Sequence, residues 1–376
     1  MIDWVAAVPY IAAVLKVVLA IVVGLQVAPL MVWLERRQGA LIQRRIGPNR
    51  VGLFGFRLLG LGQPLADTVK LLFKEDVVPS HVERFFFIVA PVITAVTGLV
   101  ALSCIPFGSY VEVMGYTINM QAITLNAGFL TIFAVSSLGV YGVALAGWSS
   151  NNKYSLLGGL RASAQMVSYE IGMGLSLLPV VLIFGTLDMQ RIIYAQSHDP
   201  YLFGVLPAWG IFYAPVSFVI FVITMFAETN RVPFDLAEGE AELVGGFLTE
   251  YGSMRWSLFF LGEYAMMFTL SALTVCLFLG GYELPWISHT QIVTFLTEYL
   301  GRELALWAAF LVGFGVLIGK IVGFMILFVQ ARFTLPRFRY DQLMHVGWAV
   351  ILPIALVNLI ITVAVTAVQR FGIAGL

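Results

Sequence analysis

Acidic side chains are concentrated in one segment of the chain, between residues 227 and 251. The segment has one arginine, Arg231, and the carboxylates Glu228, Asp235, Glu238, Glu240, Glu242 and Glu250. If a helix begins at Pro233, then Asp235, Glu238 and Glu242 share one face and Glu240 is displaced to the side. Like charges on one face repel one another. We therefore expect this cluster to bind cations, pair with arginines of a partner or keep some carboxyl groups protonated.

Two further carboxylates, Glu170 and Glu263, lie within apolar runs. A charge in hydrocarbon is costly, and acidic residues in such places are typical of proton relays. The alternative is a structural pair, for instance with Lys320 in another apolar run. The sequence does not decide whether Lys320, or Lys16 in the first run, is functional or structural.

Five arginines follow the first apolar run and adjoin Glu35. They are Arg36, Arg37, Arg44, Arg45 and Arg50. One interpretation is a basic anchor for anionic lipid head groups. The other is a docking surface, since arginines pair well with the carboxylates of a partner and Gly47-Pro48-Asn49 would hold the loop in a defined turn.

The remaining reactive residues do not form a recognisable redox or metal site. Cys104 and Cys276 lie singly in apolar runs, which excludes iron–sulfur ligation within the chain. The four histidines are His81, His198, His289 and His345. None of them lies in the acidic segment or forms a mid-span pair, so we predict no metal and no haem.

The composition sets the environment in which these groups must work. Of the 376 residues, 60% are hydrophobic and only 11% are charged, against roughly 25% charged residues in an average soluble domain. The formal net charge is zero, so nothing in the charge indicates a nucleic-acid partner. We expect an all-α, polytopic membrane protein that forms a single integral membrane domain over residues 1–376.

About eight apolar runs are long enough to cross a bilayer. They fall near residues 9–33, 85–107, 123–147, 166–186, 211–227, 256–281, 304–330 and 343–368. Most lysines and arginines lie in alternate loops, near 34–84, 148–165, 228–255 and 331–342, while the opposite segments have Arg191, Arg302 and Arg370. The positive-inside rule makes those four loops cytoplasmic and places both termini outside. No cleavable signal is evident, so the first run is expected to remain as a span.

The first cytoplasmic loop also contains an amphipathic pattern. Apolar Leu65, Val69, Leu72 and Phe73 recur at helical spacing after Pro64, opposite Asp67, Lys70 and Lys74. We predict a helix lying in the membrane interface, where it could roof an opening for a lipid-soluble molecule.

Two segments resemble a known family. Residues 35–37 with 43–52, and residues 227–244, are similar to the hallmark segments of respiratory complex I subunit 1, which is also called the H subunit of bacterial NADH-quinone oxidoreductase. The resemblance covers nearly the whole chain, because the eight-span layout and both loops fit.

This resemblance implies a membrane subunit of proton-translocating NADH:quinone oxidoreductase. It would anchor the peripheral redox arm, form most of the tunnel by which quinone enters, and couple quinone reduction to proton translocation. Quinone is then the substrate, while NADH, FMN and iron–sulfur clusters belong to partner subunits. The implied partners are the peripheral-arm quinone-site and terminal iron–sulfur cluster subunits, small membrane-arm subunits and membrane lipids, in a bacterial inner membrane.

By resemblance, two sets of residues take functional roles. The quinone chamber or docking surface takes Glu35, Arg36, Arg37, Arg44, Arg45, Arg50, Asp67 and Arg231. The proton-coupling path takes Glu170, Glu228, Asp235, Glu238, Glu240, Glu242, Glu250 and Glu263.

Two other functions remain open at this stage. The membrane subunit of an energy-converting hydrogenase shares ancestry and layout, although the complete run from Arg45 to Gly52 is similar to the quinone-using branch. A free-standing secondary transporter would also explain charges within spans, but we detect no inverted repeat.

Overall fold

The computed structural model describes residues 4–52, 59–113, 115–198, 206–236, 239 and 243–371. Within these ranges the chain is mainly helical. The helices are α1 (Trp4–Ile42), α2 (Gly62–Phe73), α3 (Arg84–Ser103), α4 (Gly128–Ser149), α5 (Lys153–Phe184), α6 (Met189–His198), α7 (Gly210–Tyr213), α8 (Pro215–Glu228), α9 (Ser253–Phe278), α10 (His289–Leu300), α11 (Arg302–Thr334), α12 (Tyr340–His345) and α13 (Leu352–Phe371). A π-helical stretch, Val346–Ile351, joins α12 to α13, and a short 3-10 turn lies at Gly246–Leu248.

The expected membrane spans are present, and one of them is shorter than expected. Seven helical segments in the described ranges are long and apolar enough to cross a bilayer. The fifth expected span corresponds to α8, an apolar helix of 14 residues. It is short because Ala214 leaves the helical conformation and Pro215 begins a new helix behind the single turn of α7. The prediction of a polytopic membrane protein is confirmed.

Two helices extend further into the expected loops than the sequence suggests. Helix α1 continues through Glu35, Arg36 and Arg37, which the sequence analysis places in a loop. The residues after Leu34 are mostly strong helix formers, so nothing stops the helix before Ile42. Helix α5 begins at Lys153, where the Asn152 side chain caps it by accepting a hydrogen bond from the Tyr154 N–H.

A β-hairpin is the element that the sequence analysis missed. Strands β1 (Pro106–Val113) and β2 (Tyr116–Gln121) pair antiparallel, so α3 ends at Ser103 and not near residue 107. We call the side of the molecule with this hairpin the hairpin end. The opposite side, with Arg36, Arg231 and Arg332, is the arginine-rich end.

The acidic segment also differs from the expectation. Residues 233–236 form a turn and not the start of a helix. The Phe234 N–H donates to the Arg231 carbonyl, 2.8 Å away, and the Phe338 N–H donates to the Pro233 carbonyl, 3.1 Å away. Contact with the chain that follows α11 therefore replaces helical hydrogen bonding. The expected side chains Glu238, Glu240 and Glu242 lie outside the described residues.

Helix α9 lies at the centre of the membrane domain. It packs closely on α3, where a methyl group at Gly98 would collide with the backbone of Gly262. Helices α1 and α13 instead expose many of their apolar side chains, as lipid-facing helices do. The central position of α9 brings its residues near the arginine-rich end against α1 and α11.

Candidate functional site

Five side chains from different parts of the chain meet at the arginine-rich end. We call them the glutamate–arginine cluster: Glu35 on α1, Arg231 after α8, Glu263 and Tyr264 on α9, and Arg332 on α11. The Glu35 carboxylate pairs with Arg332 and accepts a hydrogen bond of 2.7 Å from the Tyr264 hydroxyl. The Arg231 guanidinium lies 3.8 Å from Glu35 and 3.7 Å from Glu263, and 4.5 Å from the Tyr264 ring centroid. The cluster thus joins four segments distant in sequence.

Burial makes these ion pairs strong and mutually dependent. The exposed fractions of the side chains are 15% for Glu35, 12% for Arg231 and 13% for Glu263. Charges interact strongly where water is scarce, and a buried charge that loses its partner is costly. Two carboxylates and two guanidinium groups balance here, so a change at one group changes the energy of the others.

An open cleft adjoins this cluster. Its volume is about 1230 Å³, and α1, α2, the first part of α9 and the end of α11 form its walls. Apolar side chains such as Leu25, Leu65 and Leu261 line most of it, while Glu35 and Tyr264 contribute polar groups. The cleft can hold a large, mainly apolar molecule that presents a polar head to the cluster.

The expected amphipathic helix α2 forms one wall of the cleft. Val69, Leu72 and Phe73 are exposed on the outside of the chain, while Leu65, which is also exposed, lines the open cleft. On the other side of the helix, Asp67 pairs with Arg36 at 2.6 Å and accepts a hydrogen bond of 3.0 Å from Gln63. The Arg36–Asp67 pair therefore fastens α2 to α1.

The other expected arginines divide between bracing the loop and facing outward. Arg37 donates to the Ile46 carbonyl at 2.8 Å, and Arg45 donates to the Gln43 side chain. Gly47 has a positive φ of 68°, which suits the predicted turn. The side chains of Arg44, Arg45 and Arg50 are exposed.

A separate acidic group lies at the junction of α5, α8 and the turn that follows it. Glu228 is 2% exposed, and neither of its carboxylate oxygens has a hydrogen-bond partner among the described residues. Glu170 is close enough to interact with it electrostatically. Asp235 is also buried and pairs with Arg337 at 2.9 Å. A buried carboxyl group without hydrogen bonds is costly to ionise, so its proton responds to nearby charge.

Glu250 lies apart from this group, at a junction of three loops. Its carboxylate accepts a hydrogen bond of 2.8 Å from Asn152 and lies 3.8 Å from the His81 ring. The adjacent Tyr251 stacks on Phe87 with 4.1 Å between ring centroids. Burial raises the pKa of the Tyr251 hydroxyl to about 12, so this packed residue remains neutral.

Sequence reasoning missed Tyr264, Arg332 and Arg337 as site residues. Arg332 lies in the expected basic loop near 331–342, and its partner Glu35 is 297 positions away, beyond any local pattern. The structural alternative for Glu263 also named the wrong partner, because Glu263 pairs with Arg231 and not with Lys320. The sequence feature that could have indicated Tyr264 as a site residue is its position next to Glu263.

Comparisons with known proteins agree with these features. Residues 15–363 match the family described as NADH dehydrogenase. A Protochlamydia amoebophila protein, named as the H subunit of NADH-quinone oxidoreductase, is 48% identical over 341 residues, covering 91% of this chain and 93% of that protein. Proteins from Bdellovibrio bacteriovorus and Cytophaga hutchinsonii, also named as H subunits of NADH-quinone oxidoreductase, are each 45% identical. The alignments cover 93% and 90% of this chain, and 94% and 92% of those proteins.

Proposed function

The chain belongs to the NADH dehydrogenase family, and from this premise we propose that it binds quinone and couples quinone reduction to proton translocation as a membrane subunit of NADH:quinone oxidoreductase. The observation that supports this function best is the apolar cleft that ends at the glutamate–arginine cluster. The names of the relatives favour the quinone-using enzyme over the hydrogenase and the transporter.

Quinone binding follows from the shape and lining of the cleft. A quinone has a long apolar tail and a ring with two carbonyl oxygens, which matches apolar walls with a few polar groups at one end. Leu25 and Leu65 would contact the tail, while the ring would approach Tyr264 and Arg36. The exposed apolar side of α2 would lie in the bilayer interface, so the quinone would enter from the membrane.

Coupling would begin at the glutamate–arginine cluster. Reduction of quinone draws protons and changes the charge in the cleft, which Glu35 lines. Because Arg231 contacts both Glu35 and Glu263, a charge change at Glu35 alters the field at Glu263. The other carboxylates of the proposed path would respond next, and we propose that their response drives proton movement in neighbouring subunits. They are Glu170, Glu228 and Asp235, together with Glu238, Glu240 and Glu242, which lie outside the described residues.

Anchoring would use the exposed arginines of the first loop. Arg44, Arg45 and Arg50 are exposed, and they would pair with carboxylates of the peripheral arm. The partners we propose are the quinone-site and terminal iron–sulfur cluster subunits, the small membrane-arm subunits and lipids. The arginine-rich end would then face the bacterial cytoplasm, with the hairpin end outside.

The test is to narrow the cleft. In the assembled complex, we expect Leu65→Trp to lower quinone reduction severalfold, because the larger side chain fills part of the cleft that Leu65 lines. NADH-dependent reduction of a hydrophilic acceptor should be unchanged. Leu72→Trp is the matched control, since Leu72 lies on the same helix, is similarly exposed and does not line the cleft. Equal quinone reduction by both variants and the native complex would contradict quinone binding in this cleft.

A further inference from the structure

Another polar group, partly buried, lies toward the hairpin end, away from the proposed quinone site. Its centre is Lys320 on α11, whose ammonium group donates three hydrogen bonds to the backbone beyond the end of α9. The acceptors are the carbonyls of Leu279, Gly281 and Glu283, at 2.7, 2.9 and 2.7 Å. The ammonium also lies 4.7 Å from the ring centroid of Trp209. Lys320 therefore has well-defined partners and is held in one place.

The backbone around Lys320 explains why a cation is held there. The end of α9 leaves carbonyl groups without helical partners, and within a membrane domain such groups must be satisfied by the protein itself. Gln196 accepts hydrogen bonds from Gly210 and Gly280 and donates one to the Cys276 carbonyl. The carbonyls that face Lys320 belong to the segment just after α9, and the negative end of the α9 dipole favours its positive charge.

Polar contacts continue from Lys320 to the surface of the hairpin end. The Glu283 carboxylate accepts a hydrogen bond of 2.7 Å from the His289 backbone, and the His289 ring lies 2.8 Å from the Ser109 hydroxyl on β1. Further along β1, Glu112 pairs with the exposed Arg302 at 2.6 Å. Burial raises the pKa of Glu283 to about 7, with the His289 N–H and Lys320 acting against that rise. A titratable group thus lies between Lys320 and the surface.

An apolar layer separates Lys320 from the glutamate–arginine cluster. Phe324 and Phe328 follow Lys320 along α11, before Arg332, and both are buried. Phe226 packs against Phe328 with ring centroids 4.2 Å apart, and Phe218 lies 6.4 Å from Phe324. At 1.5 Å of rise per residue, this layer spans about 18 Å between Lys320 and Arg332. Two polar regions therefore face each other across aromatic packing.

We propose that Lys320 forms an electrostatic barrier to protons, placed where the polar contacts from the hairpin end meet the apolar layer. A positive charge in a low-dielectric region repels a proton or hydrated cation, as charged and dipolar barriers do in selective pores. This proposal rests on the proposed coupling function, because a membrane subunit of a proton-translocating complex must prevent protons from returning through itself. The positive charge of Lys320 would meet this need.

The experiment measures passive proton permeability. The native complex and its variants are reconstituted in liposomes with an internal pH dye, and a potassium diffusion potential is imposed without NADH. Lys320→Gln removes the charge but keeps an amide donor for the backbone carbonyls. We expect proton entry to rise on the order of tenfold. This is the effect of removing one positive charge that lies about 10 Å from the proton, where the effective dielectric constant is about 20.

Three comparisons make the result specific. Lys320→Arg keeps the charge and should keep the native permeability. Lys16→Met removes another intramembrane lysine, which donates to the Asn119 carbonyl at 3.1 Å, and should also leave permeability unchanged. Quinone reduction by Lys320→Gln in uncoupled liposomes should stay near native, which separates this proposal from the proposed quinone site.

Native permeability in the assembled Lys320→Gln complex would overturn the barrier proposal. An equal leak in Lys16→Met would also overturn it, because the leak would then follow from loosened packing and not from the charge of Lys320.

Discussion

Replacing Arg231 by methionine would leave the carboxylates of Glu35 and Glu263 in place and remove the cation between them. Each carboxylate lies 3.7 to 3.8 Å from the guanidinium. At an effective dielectric constant of about 20, each contact carries roughly 4 kcal/mol of Coulomb attraction before desolvation is counted. Breaking a buried pair from one side costs about 3–5 kcal/mol net, because a charge remains without its partner. We expect Arg231→Met to destabilise the cluster by that amount.

The assay is a double-variant cycle on the purified complex. Thermal loss of quinone reductase activity is measured for the native complex, Arg231→Met, Glu263→Gln and the double variant, with reduction of a hydrophilic acceptor as the control for the peripheral arm. The double variant should be at least about 1 kcal/mol more stable than the sum of the two single losses predicts. The reason is that a neutral glutamine at position 263 has no buried charge for Arg231 to balance. Additive losses within about 0.5 kcal/mol would refute the idea that Arg231 and Glu263 act as a unit.

Two further predictions concern single groups. Tyr264→Phe removes the 2.7 Å hydrogen bond to Glu35, and a hydrogen bond to a charged group contributes about 1.5–3 kcal/mol. Quinone reduction should therefore fall about tenfold or more, while reduction of the hydrophilic acceptor is kept. Loss of both reactions would instead indicate failed assembly. The second prediction concerns Glu283, whose pKa rises from 4.5 when unfolded to about 7 in the folded chain. Its protonation contributes stability that is fully present below about pH 4.5 and is lost as the pH rises through about 7. The thermal midpoint of the native complex should therefore fall relative to that of Glu283→Gln between about pH 5 and 8, and a constant difference would contradict this burial effect.

Membrane architecture was predictable because hydropathy reports directly on burial in lipid. The apolar runs indicate the number and order of spans. The sequence also assigns Arg302 and Arg332 to opposite sides, and in the structure they lie at opposite ends of α11. Helix ends were harder to place. Nothing after Leu34 breaks a helix, so Glu35 and Arg36 continue α1 even though their charge suggests a loop.

The hairpin and the acidic turn show the limits of local pattern. Phe107, Tyr110 and Val111 follow an apolar helix closely, so their strand character was hidden by the preceding run. The turn after Arg231 depends on Phe338, which lies more than a hundred residues away and closes it with a backbone hydrogen bond. A helix from Pro233 was reasonable locally but was excluded by this long-range contact.

Several residues named from the sequence lie together in the candidate site, but their pairings were not foreseen and their roles remain proposals. Glu35, Arg36, Asp67, Arg231 and Glu263 all lie at the cleft or in the cluster beside it. Their partners were not predictable from spacing, because α1, α9 and α11 meet only in the folded chain. Shared sequence position was also a poor guide, because Glu250 belongs to the acidic segment but contacts Asn152 and lies apart from Glu228 and Asp235.

Helices α1 and α11 are connected directly at the arginine-rich end and through the β-hairpin at the hairpin end. At the arginine-rich end Glu35 pairs with Arg332, and at the hairpin end Lys16 and Arg302 hold the two paired strands of the hairpin. Sliding one helix past the other by a turn of about 5.4 Å would break all of these contacts together. The two helices therefore act as a rigid frame. Helix α2 is the cleft wall that the Arg36–Asp67 pair holds to this frame, so we expect movement of α2 to widen the cleft for a bulky molecule.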